Sequence, residues 1–237
     1  MILDRNILEF LNRDKVKNLN IINFIENNPI YFMERFKDSI IAKGKSDENW
    51  VYISSSSEDE LKALLKKCEE NEFFFVPEDW MLPFVIKNRE IEWKMSCMKL
   101  IFPENKEIAK YNYEVRQLKV EDAEYIYHNS KYQDYTDIEY IARQIRKGIS
   151  LGIYEEDKLA AWVMTHDDGA MGFMHVIEKY RKKGYGYGLT MAMIDRLRNM
   201  GKVPFVHIEE DNYRSMGLAL KVGFTKDRRV HWIKIIK

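Results

Sequence analysis

Leu61, Leu64, Leu65 and Cys68 recur at helical spacing behind Ser57-x-x-Glu60, a capping box, so the pattern predicts a helix starting near residue 57. On either side of it, Trp50 to Ser54 and Phe73 to Val76 read as short strands. Trp80 to Ile86 reads as a further short helix and Trp93 to Phe102 as a strand. The serine run Ser54 to Ser57 fits a strand-to-helix turn better than a phosphorylation site, because serine hydroxyls bond nearby backbone and favour turns. Pro103 to Lys110 is polar and interrupts the pattern, which places a domain boundary there, between residues 1–103 and 111–237.

Beyond that boundary Tyr113 to Leu118 predicts a strand and Val120 to His128 a helix. Thr136-x-x-Glu139 is a second capping box, with Ile138, Ile141, Ala142 and Ile145 as the apolar face behind it and Gly148 as the stop. Ser150 to Glu155, Leu159 to Thr165 and Met171 to Ile177 form a three-strand meander, its second turn marked by Asp168-Gly169. A glycine-rich loop then opens a helix from Tyr187 to Met200, ended by Gly201. Val203 to Glu209 predicts a strand, Tyr213 to Val222 a helix stopped by Gly223, and Phe224 to Ile236 the closing strand. The class is α/β (α+β), with strands and helices in both halves of the chain.

Composition narrows the function. Lysine plus arginine equal aspartate plus glutamate, 38 each, so no basic surplus points to nucleic acid. No apolar run is long enough to span a bilayer, which argues against a membrane partner. The start, Met1-Ile2-Leu3-Asp4-Arg5, lacks the charged and apolar regions of a leader. Cys68 and Cys97 lack metal-ligand spacing and read as reduced core thiols, so the expected compartment is the cytoplasm and no metal is expected.

The chemistry concentrates in Val176-Ile177-Glu178-Lys179-Tyr180-Arg181-Lys182-Lys183-Gly184-Tyr185-Gly186-Tyr187-Gly188-Leu189. Here a strand enters a basic, glycine-rich turn that opens a helix. Glycines admit positive φ and let backbone approach a ligand, and the first N–H groups of a helix attract anions. The segment therefore reads as a phosphate or pyrophosphate site, with Arg181, Lys182 and Lys183 adding charge. It is not a dinucleotide fingerprint, since its glycines run G-x-G-x-G, nor a Walker A loop, since Gly-Lys-Ser/Thr is missing.

Arg181, Gly184 and Gly186 satisfy the R/Q-x-x-G-x-G/A signature of the GNAT superfamily of N-acetyltransferases, and the chain resembles that family over residues 112 to 237. Asn212-Tyr213-Arg214-Ser215, continuing to Gly223-Phe224, is similar to the second family motif. Trp162, Asp168-Gly169-Ala170-Met171, Tyr180 to Tyr185 and Val206 to Asn212 look most like the glycine N-acyltransferase-like group. Such proteins carry an N-terminal half that is a degenerate copy of the same fold, a role open to residues 1–103, which contain no R-x-x-G-x-G.

The resemblance implies an acyl-CoA-dependent N-acyltransferase, most simply using acetyl-CoA. It would acylate a primary amine of a small molecule such as an amino acid, by direct attack in a ternary complex. It implies a mixed central sheet flanked by helices, with two central strands splayed at Met174 to Ile177 and Phe205 to Glu209. The cofactor would be held by His175, Val176, Arg181, Lys182, Lys183, Gly184, Tyr185, Gly186, Asn212 and Ser215. Two side chains usual in the family are missing: Ala170 stands where a glutamate base is expected and Ala219 where a tyrosine acid is expected. His175 and Glu210 are the catalytic candidates, with His207 and Glu209 beside them. These vacancies keep open the alternative of a CoA-binding sensor or scaffold without chemistry; a peptide or protein N-acetyltransferase is a further alternative, for which the sequence offers no clear acidic or basic docking surface.

Overall fold

A computed structural model describes residues 5–130 and 133–236; the segment Met1 to Asp4 read against a leader lies outside them. The chain begins with α1 (Arg5–Asn12) and α2 (Lys15–Asn27), the latter started by Asp14, whose side chain accepts the Lys17 N–H. β1 (Ile30–Phe36), β2 (Ser39–Lys45) and β3 (Asn49–Ser54) follow as an antiparallel meander. Then come α3 (Glu58–Leu65), β4 (Phe73–Val76), the one-turn α4 (Leu82–Val85) and β5 (Glu90–Ile101). Half of the Ser57 capping box forms. Ser57 Oγ accepts the Glu60 N–H, but the Glu60 carboxylate is drawn across to Ser39 Oγ, at 2.6 Å, and the Asp38 N–H.

β6 is only Arg116–Gln117, shorter than the pattern of residues 113–118 predicts. After it come α5 (Asp122–His128), α6 (Ile138–Lys147), the meander β7 (Ser150–Glu155), β8 (Lys158–Thr165) and β9 (Met171–Val176), α7 (Tyr185–Asn199), β10 (Phe205–Glu209) and α8 (Tyr213–Val222). The second capping box does not form. Asp137 caps α6 by accepting the Tyr140 N–H at 2.6 Å, and the buried Thr136 hydroxyl has no hydrogen-bond partner. An aspartate one residue later wins because its carboxylate is a stronger acceptor for helix N–H groups than a hydroxyl.

The chain closes with β11 (Thr225–Ile236), and two compact units result. One holds residues 1–99 together with 209–211 and 227–237; the other holds 100–208 and 212–226. In the first unit the strand order is β1-β2-β3-β4-β11-β5, with β11 antiparallel to β4 from His231↔Val76 to Lys234↔Phe73. Both faces of that sheet are covered. Leu11, Ile21, Phe24 and Ile25 pack with Tyr52, Phe75 and Val230 on one side; Leu61, Leu64, Cys68 and Val85 pack with Val51, Phe74 and Ile233 on the other. Cys68 and Cys97 are buried and not joined in a disulfide, and burial pushes the Cys68 thiol up to about 11.

In the second unit the order is β10-β9-β8-β7-β6. One face packs Trp162 and Met164 under Ile126, Ile141 and Ile145 of α5 and α6. α7 packs against β7 and β8, burying Leu189, Met193, Ile194 and Leu197. The two halves of the chain repeat one order of elements, two helices, a three-strand meander, a helix, a strand, a helix and a final strand, with β6 preceding it in the second half. Among the described residues no helix is long and apolar enough to cross a membrane.

Candidate active site

The repeated order isolates one difference. In the first unit β3 and β4, the parallel strands on either side of α3, pair at three positions, Trp50↔Phe73, Val51↔Phe74 and Tyr52↔Phe75. Their counterparts β9 and β10 pair at one, Val206↔Met171. Beyond that rung the strands part, so the β10-facing edge of β9 from Gly172 onward is not closed by a ladder to its neighbour.

β9 is also bulged. Met164 pairs with Gly172 and Trp162 with His175, so three steps on β9 face two on β8, and Phe173 takes φ +51°. An aromatic residue in the left-handed region costs roughly 1–3 kcal/mol, and bulges of this kind re-aim side chains beside functional sites. No hydrophobic pattern carries this feature; it is fixed by the fit of β9 on β8. The bulge returns His175 to the face of Trp162, on which its ring stacks at 4.8 Å and 18°.

At the end of β9 the chain turns through a short 3-10 segment, Glu178–Tyr180, into the glycine-rich loop. Gly184 caps α7 at φ +84°, and the Gly188 N–H donates to the Gly184 carbonyl as the first helical bond, so the N–H groups ahead of it have no partner within the helix. α7 thus starts at Tyr185, two residues before the pattern predicts. Lys182 and Lys183 are exposed. A Cβ built on Gly186 would lie 3.8 Å from Val176 Cγ2 and 3.5 Å from Leu218 Cδ2, which brings the helix start, the strand end and α8 to one place.

Other expected site residues are engaged inside the protein. Arg181 Nε donates to the Val176 carbonyl at 3.2 Å, and its guanidinium pairs with Glu178 at 3.6 Å. The Tyr185 ring is buried and its hydroxyl bonds to Glu155, so only its backbone is presented. Asn212 caps α8 by accepting the Ser215 N–H at 3.2 Å. Ala170 and Ala219 are both buried. Glu210 is placed in the first unit, where Arg229 Nη2 holds both its oxygens, at 2.9 and 3.2 Å.

Two features escape a reading of the sequence. Tyr113 lays its ring on α7, its hydroxyl donating to the Lys183 carbonyl at 2.7 Å. His207 of β10 places Nδ1 3.9 Å from Asp168 Oδ2, with both side chains nearly enclosed. The Asp-Gly turn signal accounts for Gly169 at φ +81° but says nothing about where the Asp168 carboxylate goes. Among the described residues no cluster of three histidine, cysteine or acidic side chains is arranged to hold a metal.

Residues 150–233, from β7 into β11, match the sequence profile of the family described as FR47-like protein. No curated protein sequence matches the chain. Solved structures do. A Drosophila protein determined by a structural genomics consortium superposes with a TM-score of 0.79 at 19% identity, over 99% of this chain and 97% of that one. A GCN5-related N-acetyltransferase from Kribbella flavida gives 0.57 at 9% identity, over 93% and 94%. A tandem GNAT protein from the clavulanic acid biosynthesis pathway gives 0.52 at 11% identity, over 92% and 87%. The fold is therefore that of the GCN5-related N-acetyltransferases, and residues 150–233 are similar to the FR47-like family.

Proposed function

We propose that this chain is an acyl-CoA-dependent N-acyltransferase of the cytoplasm. It would transfer an acyl group, most simply acetyl, to a primary amine of a small molecule such as an amino acid. The single-rung fork of β9 and β10 carries this reading, set against the closed ladder of β3 and β4 in the same chain. An open fork leaves strand-edge backbone groups for an extended pantetheine arm to bond, in the manner of an added strand. The FR47-like match falls on the same elements, and that family lies in the GNAT clan.

Each residue then has a task. The N–H groups at Tyr185 and Gly186, with the positive end of the α7 dipole behind them, hold the pyrophosphate, and Gly184, Lys182 and Lys183 complete its cradle. Arg181 fixes the end of β9 through the Val176 carbonyl. A backbone N–H near Val176 stabilises the oxyanion formed when the amine attacks the thioester. His175 lines the acyl end, and Asn212 sets the start of α8, whose first turn carries Ser215 as a cofactor contact. Glu210, already held by Arg229, leaves proton transfer to a group on the fork. Residues 1–103 are a degenerate copy without a glycine-rich turn, a reading supported by the repeated order of elements and the likeness to a tandem protein.

Substitutions at Gly186 test this. An alanine there meets only ordinary contacts with Leu218 and Val176, whereas a glutamate brings bulk and negative charge to the helix start. Calorimetry with CoA should show Gly186→Ala within a few-fold of wild type. Gly186→Glu should be weakened at least about 100-fold, or ~2.8 kcal/mol. Unchanged affinity in a folded Gly186→Glu protein would remove the CoA site from this loop.

A further inference from the structure

The resemblance implies a carboxylate base where this chain has the buried Ala170, so the proton of the attacking amine needs another acceptor. The register of the fork shows what occupies that space. Cross-strand partners share a face and neighbours alternate. Val206 pairs with Met171, so His207 and Ala170 both lie on the opposite face from that pair. Gly172 pairs with Met164, which packs under α5 and α6. Ala170, two residues before Gly172, shares that side, and so does His207. An imidazole from β10 therefore shares the sheet face on which Ala170, just ahead of β9, offers only a methyl.

The imidazole has a partner suited to catalysis. Asp168 is 2% exposed, and its Oδ1 accepts the Ala170 N–H at 3.1 Å, which fixes the carboxylate to the backbone of the turn that enters β9. Its Oδ2 lies 3.9 Å from His207 Nδ1, and the Phe205 ring packs edge-on at 5.4 Å from the imidazole. A buried carboxylate 3.9 Å from Nδ1 favours, through its charge, the imidazolium that forms when Nε2 takes a proton. Other titratable groups on this side include His166, laid over Gly172 and against Phe173; Asp167, which accepts the Tyr140 hydroxyl and the Asp168 N–H; His175 on Trp162; and Glu209, two residues beyond His207 on the same face of β10.

We infer that His207 is the general base of the proposed acyl transfer and that Asp168 is its positioning residue. This inference rests on the reading of the fork as an acyl-CoA site. As the new N–C bond forms and the C–S bond breaks, His207 Nε2 takes the proton of the attacking nitrogen. The proton then passes to the departing thiolate, giving amide and free CoA thiol, while Asp168 stays ionised throughout.

The test is imidazole NMR of the full-length protein with labelled histidine, alone and with CoA. The His207 signal is assigned by its loss in His207→Gln. It should take up a proton between about pH 5 and 8, the range open to histidine, and shift when CoA is added. Asp168→Asn should lower its pKa, by removing the nearby negative charge, without altering CoA affinity measured by calorimetry. Where acetyl-CoA turns over with glycine or phenethylamine as acceptor, His207→Gln should lower kcat by about 10²- to 10⁴-fold at unchanged CoA affinity. It should also abolish the acid limb of the pH profile. A His207 ring that stays neutral from pH 5 to 8, or that ignores both CoA and Asp168→Asn, would overturn the inference with the CoA site intact. Failure of the wild-type protein to bind CoA would instead overturn the reading on which it rests.

Discussion

At the residue scale, the buried histidine of the first unit makes a prediction that needs no ligand. His231 is 2% exposed and stands between Ser96, whose hydroxyl lies 2.8 Å from Nδ1, and Asp79, whose Oδ1 lies 2.8 Å from Nε2. These partners fit the neutral ring, with Nε2–H donating to the carboxylate and Nδ1 accepting from the serine. Burial pushes its pKa below the usual 6.5, against the pull of Asp79. The unfolded chain then binds the proton more readily than the folded one, so stability is full above about pH 6.5 and falls as pH drops below it. Thermal melts between pH 7.5 and 5 should show that decline, and His231→Gln should flatten it at a lower overall Tm. A decline unchanged by the substitution would assign it to other groups.

At the scale of elements, the start of α7 depends on contacts as well as on its glycines. A Cβ on Gly188 would come within 2.2 Å of the Tyr113 ring, and one on Gly184 within 2.4 Å of its hydroxyl. Gly188 is therefore a close-approach glycine, which the motif spacing alone does not distinguish from a phosphate-contacting one. Gly188→Ala should destabilise the second unit by about 1–3 kcal/mol through overpacking. Tyr113→Ala in the same chain should recover part of that loss, because it opens the space. Denaturant melts of the single and double variants measure the coupling. Additive losses would mean that the helix, not the tyrosine, rejects the methyl.

At the scale of the molecule, the last strand belongs to the unit that the chain built first. Val230, Ile233 and Ile235 of β11 are at most 3% exposed among residues of the first unit, and β11 pairs with β4 along four positions. Each such side chain contributes about 1.5–3 kcal/mol on burial, roughly 5–9 kcal/mol in all, comparable with the whole stability of a domain. A chain stopped after Lys226 should therefore lose the fold of residues 1–99, seen as loss of amide protection at Phe73 to Val76. Retained protection there would show that β11 is dispensable. A fragment ending at Phe102 lacks the same strand, so a CoA-binding test of the first unit has to include residues 227–237.

Most of the elements were legible because their causes are local. Ser57 capping a helix whose leucines recur at helical spacing, Gly223 at φ +109° ending α8, and Gly184 at φ +84° opening α7 depend on residues within one turn of each other. The sequence by itself determined the class of fold, the order of strands and helices in the second half, and the presence of a glycine-rich helix start after a strand. The tertiary structure alone decided the rest. Thr136 loses the cap of α6 to Asp137, and the Glu60 carboxylate crosses to Ser39, because the geometry of neighbouring segments sets which acceptor is in reach. The bulge at Phe173 arises from the register of β9 on β8, and the open fork from where β10 lies beside β9. Glu210 meets Arg229, and Asp168 meets His207, across sequence separations that no periodicity encodes. Backbone preference acts over a few residues, whereas the approach of one side chain to another is settled only when strands distant in sequence are packed side by side.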